Sequence, residues 1–110
     1  MPDEMAHVGN DNFQAEVLDA EVPVLVDFTA TWCGPCKMLE PVVEQLVQEW
    51  AGKVTVVKQD VDHNPEMAMR YQVMGVPTLM LFSGGKQLER VTGFQPKDRL
   101  MKKFGQHLGE

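Results

Sequence analysis

No stretch of this 110-residue chain gathers lysine and arginine, and the formal net charge is −6. That excludes the clustered basic surface a nucleic-acid-binding protein needs. No apolar run approaches the twenty or so residues of a membrane span, so no membrane association is expected. The opening "MPDEMAHVGN" has neither a basic segment nor an apolar one after it, so no secretory leader is expected and the setting is read as cytoplasmic. Internal repeats, low-complexity tracts and linkers are missing, and so is the G-x-x-x-x-G-K-[ST] pattern of a phosphate loop. Cysteine is scarce: the chain has two. A cytoplasmic chain with so few is not stapled by disulfides, and its cysteines are more often catalytic or metal-binding.

What is present is ordinary for a folded domain: 44% apolar and 24% charged residues. The length suits one domain, residues 1–110, expected to act as a monomer. A short strand is expected over residues 5–8. A helix over residues 11–20 follows, capped by Asn10, with Phe13, Val17 and Leu18 inward. "VPVLVDFTA" is apolar almost throughout, which marks a strand covered on both faces. Residues 33–51 switch to helical period, with Met38, Leu39, Val42, Val43, Leu46, Val47 and Trp50 in one stripe and Pro41 as an expected kink. "VTVVKQ" is a second buried strand. Asn64 and Pro65 open a short helix to about Gln72. "TLMLF" and "QLERVT" form a hairpin around "SGGK". Pro96 opens the last helix, with Leu100, Met101, Phe104 and Leu108 inward and Lys102 and Lys103 late, where cations suit the dipole. The eight methionines read as packing residues. The expected architecture is α/β, a single mixed sheet of five strands flanked by four helices. Strands separated by helices are expected to run parallel and the final hairpin antiparallel.

Both cysteines lie in "DFTATWCGPCKM", where the first long strand meets the long helix. Zinc needs four ligands, usually with a second close pair; His7, His63 and His107 stand singly and give no such spacing. A permanent structural disulfide would close a loop of only two inner residues and remove little chain entropy. A redox pair explains more. Cys33 stands at the first helical turn, where unpaired N–H groups and the dipole favour a thiolate. Cys36, three residues on, shares that helix face within disulfide reach, pointing inward while Cys33 sits at the rim. Pro35 needs no N–H partner early in a helix and stiffens the turn.

"WCGPCK" after an apolar strand, "GVPT" some forty residues later, the strand aspartate Asp27, the lysine of "VVKQD" and the glycine of "VTGF" together resemble the thioredoxin family. The resemblance covers essentially the whole chain. It implies the thioredoxin fold and reduction of disulfides in other proteins by a redox-active Cys33–Cys36 pair. It implies no bound cofactor or metal, and electrons drawn from NADPH through a flavoprotein thioredoxin reductase. Cys33 is then the attacking and Cys36 the resolving sulfur. Asp27 becomes a buried carboxyl with a raised pKa that takes the proton of Cys36, with Lys58 its charge partner on the next strand. Pro77 is implied to be cis beside the cysteines, leaving Val76 free to pair with an extended substrate. Trp32, Gly34, Pro35, Gly75 and Gly93 complete the implied substrate surface, with Met74 and Phe94 as apolar neighbours. Gly34-Pro35 brings no positive charge to the sulfurs, which favours a reductant over an oxidant or isomerase. The other rival is a binding module whose dithiol is incidental. One residue departs from the pattern: Thr29 stands where many relatives carry a second tryptophan.

Overall fold

Side-chain alternation along one strand decides the layering. The computed structural model describes residues 5–109. In β2 (Val24–Thr29), Leu25 joins one apolar cluster, while Val24, Val26 and Phe28 join another on the opposite face. A strand whose successive side chains leave opposite faces can be buried throughout only if both faces are covered. The first cluster lies under α1 (Gly34–Glu49) and α3 (Lys97–Gly105), which contribute Leu39, Val43, Leu46, Leu100 and Phe104, with Trp50 joining it just after α1. The second lies under α2 (Pro65–Arg70) and a short π-helical segment, Gln14–Leu18. Its centre is an aromatic trio in which Phe82 meets the rings of Phe13 and Tyr71 edge-on, at 5.6 and 5.1 Å.

The sheet is completed by β1 (Ala6–His7), β3 (Thr55–Asp60), β4 (Thr78–Ser83) and β5 (Lys86–Thr92), in the order β1-β3-β2-β4-β5. β1, β3 and β2 run parallel, and β4 and β5 form the antiparallel hairpin. β4 also runs antiparallel to β2, although a helix precedes it. This departs from the rule that helix-linked strands run parallel. Six residues of α2 span about 9 Å, and six of β3 about 20 Å. The connection cannot carry the chain back along the sheet on its helix, so β4 starts at the end where β3 stops. Phe28 at the end of β2 therefore pairs with Thr78 at the start of β4. Pro77 is thereby brought beside the turn that carries the cysteines.

Other local expectations shift as well. Asn10 does not cap the first helix. Its side chain is 3.5 Å from Gln59 Nε2, and Asn12 Oδ1 accepts from the Gly9 N–H instead. The helical segment Gln14–Leu18 is π-helical and ends there, because Asp19 leaves helical geometry at φ −92° and ψ 2°. Asn64 occupies the N-terminal position of α2 but makes no side-chain cap; its Oδ1 accepts from the Asn10 N–H at 3.2 Å. α2 stops at Arg70, because Gln72 turns into the left-handed region at φ 56°. Arg90 of β5 donates to the carbonyls of Tyr71 (2.5 Å) and Gln72 (3.1 Å), groups the ended helix leaves over. α1 runs continuously through Pro41. Met38 is 62% exposed rather than buried, since it sits about 100° round the helix from Leu39. Met69 and Met74 are exposed too, so the methionines do not all serve packing.

Candidate active site

The local sequence explains why Cys33 is where it is. Ala30 O accepts from the Cys33 N–H at 3.3 Å, closing the turn after β2, and α1 begins at Gly34 with Pro35 in its first turn. Cys33 is the N-terminal cap of α1 in an extended conformation. Its Sγ accepts the N–H of Cys36 at 3.1 Å, as a capping serine oxygen would. Cys33 and Cys36 are joined by a disulfide. Each is 3% exposed, so Cys36 lies inward as expected while Cys33, expected at the rim, is buried too. In the disulfide form Cys33 is covered by the loop before β4, and its Sγ lies 3.7 Å from the Val76 carbonyl oxygen. Ala30, Val61 and Val76 pack around the two sulfurs.

The Val76–Pro77 bond is cis and Pro77 is buried. The loop is tied at both sides. Thr78 Oγ1 donates to Gly75 O at 2.7 Å, and the Gly93 N–H donates to Pro77 O at 2.8 Å. Gly93 has φ +90°, a conformation that costs a side chain strain and a glycine none. A Cβ on Gly34, Gly75 or Gly93 would meet no atom within 4 Å, so these positions face open space. Among the described residues the Val76 N–H donates to no backbone group. Trp32 (68% exposed), Met74 (94%) and Phe94 surround this opening as uncovered apolar side chains. Trp32 is held by its indole N–H, which donates to Asp62 Oδ2 at 2.6 Å. Asp62 was not legible beforehand: an aspartate in a turn gives no sign of a tryptophan thirty residues earlier.

Behind the disulfide the chemistry changes. Asp27 shares its face of β2 with Leu25, toward α1, and is 2% exposed. Lys58 lies directly opposite it in the parallel β2–β3 register and is also buried. The Lys58 ammonium stands 3.3 Å from Glu40 Oε2 on α1. Glu40 is a second residue the sequence did not single out, since a glutamate beside the apolar stripe looks like any solvated helix face. A pocket of about 360 Å³ opens here, lined by His7, Thr29, Lys37, Glu40, Lys58, Asp60 and Cys36. Thr29 is half-buried in its wall, and its small side chain leaves room that a tryptophan would fill. At its edge Asp60 meets the His63 ring at 2.9 Å. Burial works to raise the Asp60 pKa, but the His63 ring and the N–H groups of Asp62 and His63 outweigh it and hold it below the usual value. The hydrogen bond to Asp60 in turn raises the His63 pKa.

Comparison with known proteins agrees with this geometry. The family model described as thioredoxin matches residues 4–106. "Thioredoxin 1" of a Nostoc species is 48% identical over 103 residues, covering 94% of this chain and 96% of the relative. A thioredoxin of Chlorobaculum thiosulfatiphilum is 46% identical, covering 89% and 91%. One from Staphylococcus aureus is 51% identical over 84 residues, covering 76% and 81%. With the mixed five-stranded sheet, the flanking helices and the C-x-x-C disulfide at the start of α1, these matches show that the chain belongs to the thioredoxin family and is a thiol-disulfide oxidoreductase that reduces protein disulfides.

Proposed function

We propose that this protein works as a cytoplasmic, monomeric reductant in which Cys33 attacks, Cys36 resolves, and Asp27 handles the proton between them. The observation that carries the reading is the Cys33 sulfur at the N-terminus of α1, accepting the Cys36 N–H beside the Val76 carbonyl. The same N–H and the helix dipole stabilise a thiolate at Cys33 once the disulfide is reduced. An extended substrate segment docks on the Trp32–Met74–Phe94 rim. It pairs with Val76 as an added strand, in the open space beside Gly34, Pro35, Gly75, Pro77 and Gly93. The Cys33 thiolate attacks one substrate sulfur; a Cys33–substrate disulfide forms and the other substrate sulfur leaves as a thiolate. Cys36 then loses its proton to Asp27 and attacks Cys33 Sγ. The Cys33–Cys36 bond forms as the bond to substrate breaks, and the substrate departs as a dithiol. Two electrons have passed from the protein to the substrate.

The chain needs no resident cofactor for these steps. The dithiol is restored by NADPH through a flavoprotein thioredoxin reductase, which docks on the same rim. Lys58, opposite Asp27, tunes the charge around the resolving sulfur. The test is a trap. Cys36→Ser expressed in cells should accumulate mixed disulfides on Cys33 and so identify the substrates. Purified parent should consume NADPH when given reductase and a disulfide-bonded protein. No consumption by the parent, or trapping by Cys33→Ser and not by Cys36→Ser, would overturn the assignment.

A further inference from the structure

The pocket behind Cys36 collects charge from every element around it. β1 supplies His7, β3 supplies Lys58 and Asp60, and α1 supplies Lys37 and Glu40. Asp27 of β2 lies opposite Lys58 on the same face. The pair between Lys58 and Glu40 differs from an ordinary surface ion pair. The lysine side chain is 9% exposed and the glutamate 47%, so the pair joins a buried charge, in the pocket that Cys36 also lines, to the outside. Exposed pairs add little to stability. A charge in a poorly solvated site, by contrast, acts strongly on neighbouring titrations.

We propose that Glu40 is a positioning residue for the resolving half-reaction: it holds the Lys58 ammonium at the wall of this pocket, offsets its charge, and so sets the pH at which Cys36 gives up its proton. The inference rests on the attacking and resolving roles argued above. In the mixed disulfide, Cys36 must become a thiolate before it can attack. An ammonium nearby favours that thiolate, and a carboxylate against the ammonium subtracts from the effect. The thiolate, once formed, keeps the electron pair that makes the new Cys33–Cys36 bond. Glutamine in place of Glu40 removes one charge at nearly constant volume and leaves the side chains of His7, Lys37, Asp60 and Asp27 in place.

The experiment titrates the Cys36 Cβ resonance in reduced protein carrying carbon-13 cysteine, for the parent, Glu40→Gln, Glu40→Asp, Lys58→Met and the Glu40→Gln/Lys58→Met double variant. Glu40→Gln should lower the Cys36 midpoint by roughly half a pH unit or more. Glu40→Asp, which keeps the charge, should titrate close to the parent. In the Lys58→Met background the Glu40→Gln shift should fall to a small remainder. The rate of the resolving step in single turnover should follow the same midpoints, while the first attack by Cys33 keeps its pH profile. Equal midpoints in parent and Glu40→Gln overturn the proposal. So does an equal shift with and without Lys58, because Glu40 would then act on the thiol directly. Loss of disulfide reduction by the parent itself would instead sink the assignment of roles; an active parent with an unshifted Glu40→Gln sinks this inference alone.

Discussion

Two sulfurs of one disulfide, equally buried, face opposite surroundings. In front of Cys33 stand the Val76 carbonyl, the cis-proline loop and the uncovered side chains of Trp32, Met74 and Phe94. The segments 74–77 and 93–94 that frame this side carry no charged residue. Behind Cys36 lies a pocket with His7, Lys37, Glu40, Lys58 and Asp60 in its walls and Asp27 in the same strand face. Exposure therefore does not distinguish attacker from resolver. Their neighbours do. In the mechanism proposed above, the apolar side accepts a protein chain, and the charged side moves a proton and sets the pH at which it moves.

The comparison breaks most sharply at the cysteines. Cys33→Ser should abolish both turnover and covalent capture, because nothing on the docking side can attack. Cys36→Ser should abolish turnover and leave capture intact. Mass spectrometry of the variants after exposure to a disulfide-bonded peptide reads both outcomes. Capture by Cys36 alone would reverse the two sides.

Next in size is Asp27→Asn. It keeps the shape and removes the proton acceptor from the charged side, so the resolving step should slow by roughly a hundredfold, the lower range for general acid–base catalysis. The first attack should stay within a factor of two. Rapid mixing separates the two phases. Equal slowing of both would place Asp27's influence on Cys33 and remove the distinction drawn between the sides.

The two sides were not equally legible in the sequence. The strand–helix junction and the face of β2 on which Asp27 lies follow from periodicity, because alternation in a covered strand assigns each side chain to a face; the burial of Asp27 and its pairing with Lys58 came from the family resemblance. The sheet itself also follows from periodicity, apart from the direction of β4, which depends on how far six helical residues reach. Met38 was misplaced because helical period leaves the edge of a stripe uncertain by one position. Asp62 and Glu40 were missed for a different reason. Each is a solvated polar residue whose partner, Trp32 or Lys58, comes from another element, and no local pattern encodes such a meeting.

Trp32→Ala sharpens the front of the comparison with a smaller effect. Losing an exposed aromatic anchor should lower kcat/KM for a folded protein disulfide about tenfold. A small aromatic disulfide, which needs no rim, should react at nearly the parent rate. The melting temperature should hardly move, since surface substitutions usually cost within about 0.5 kcal/mol. Asp62→Ala, which only releases the indole N–H, should show a weaker version of the same selectivity. If the small substrate suffers as much as the protein, Trp32 acts on Cys33 itself and not on docking.

The smallest effect lies at the edge of the charged side, in the Asp60–His63 pair. Asp60 holds a proton less readily than the ordinary value of 3.8, and His63 holds one more readily than the ordinary 6.5. For the carboxylate, whose folded pKa is lowered, the stabilisation is present above about 3.8 and is lost as pH falls through the folded value. For the imidazole, whose folded pKa is raised, it is complete below about 6.5 and is lost as pH rises through the folded value. Both conditions hold between those limits, so the pair contributes most near pH 5. His63→Gln should therefore lower the denaturant midpoint slightly at about pH 5, and by less as pH rises through the value at which the folded ring gives up its proton. The solvent around His63 keeps the difference small. A deficit that grows toward pH 8 would mean that His63 supports Asp60 as a neutral donor, and that charge on this side matters only at Lys58 and Glu40.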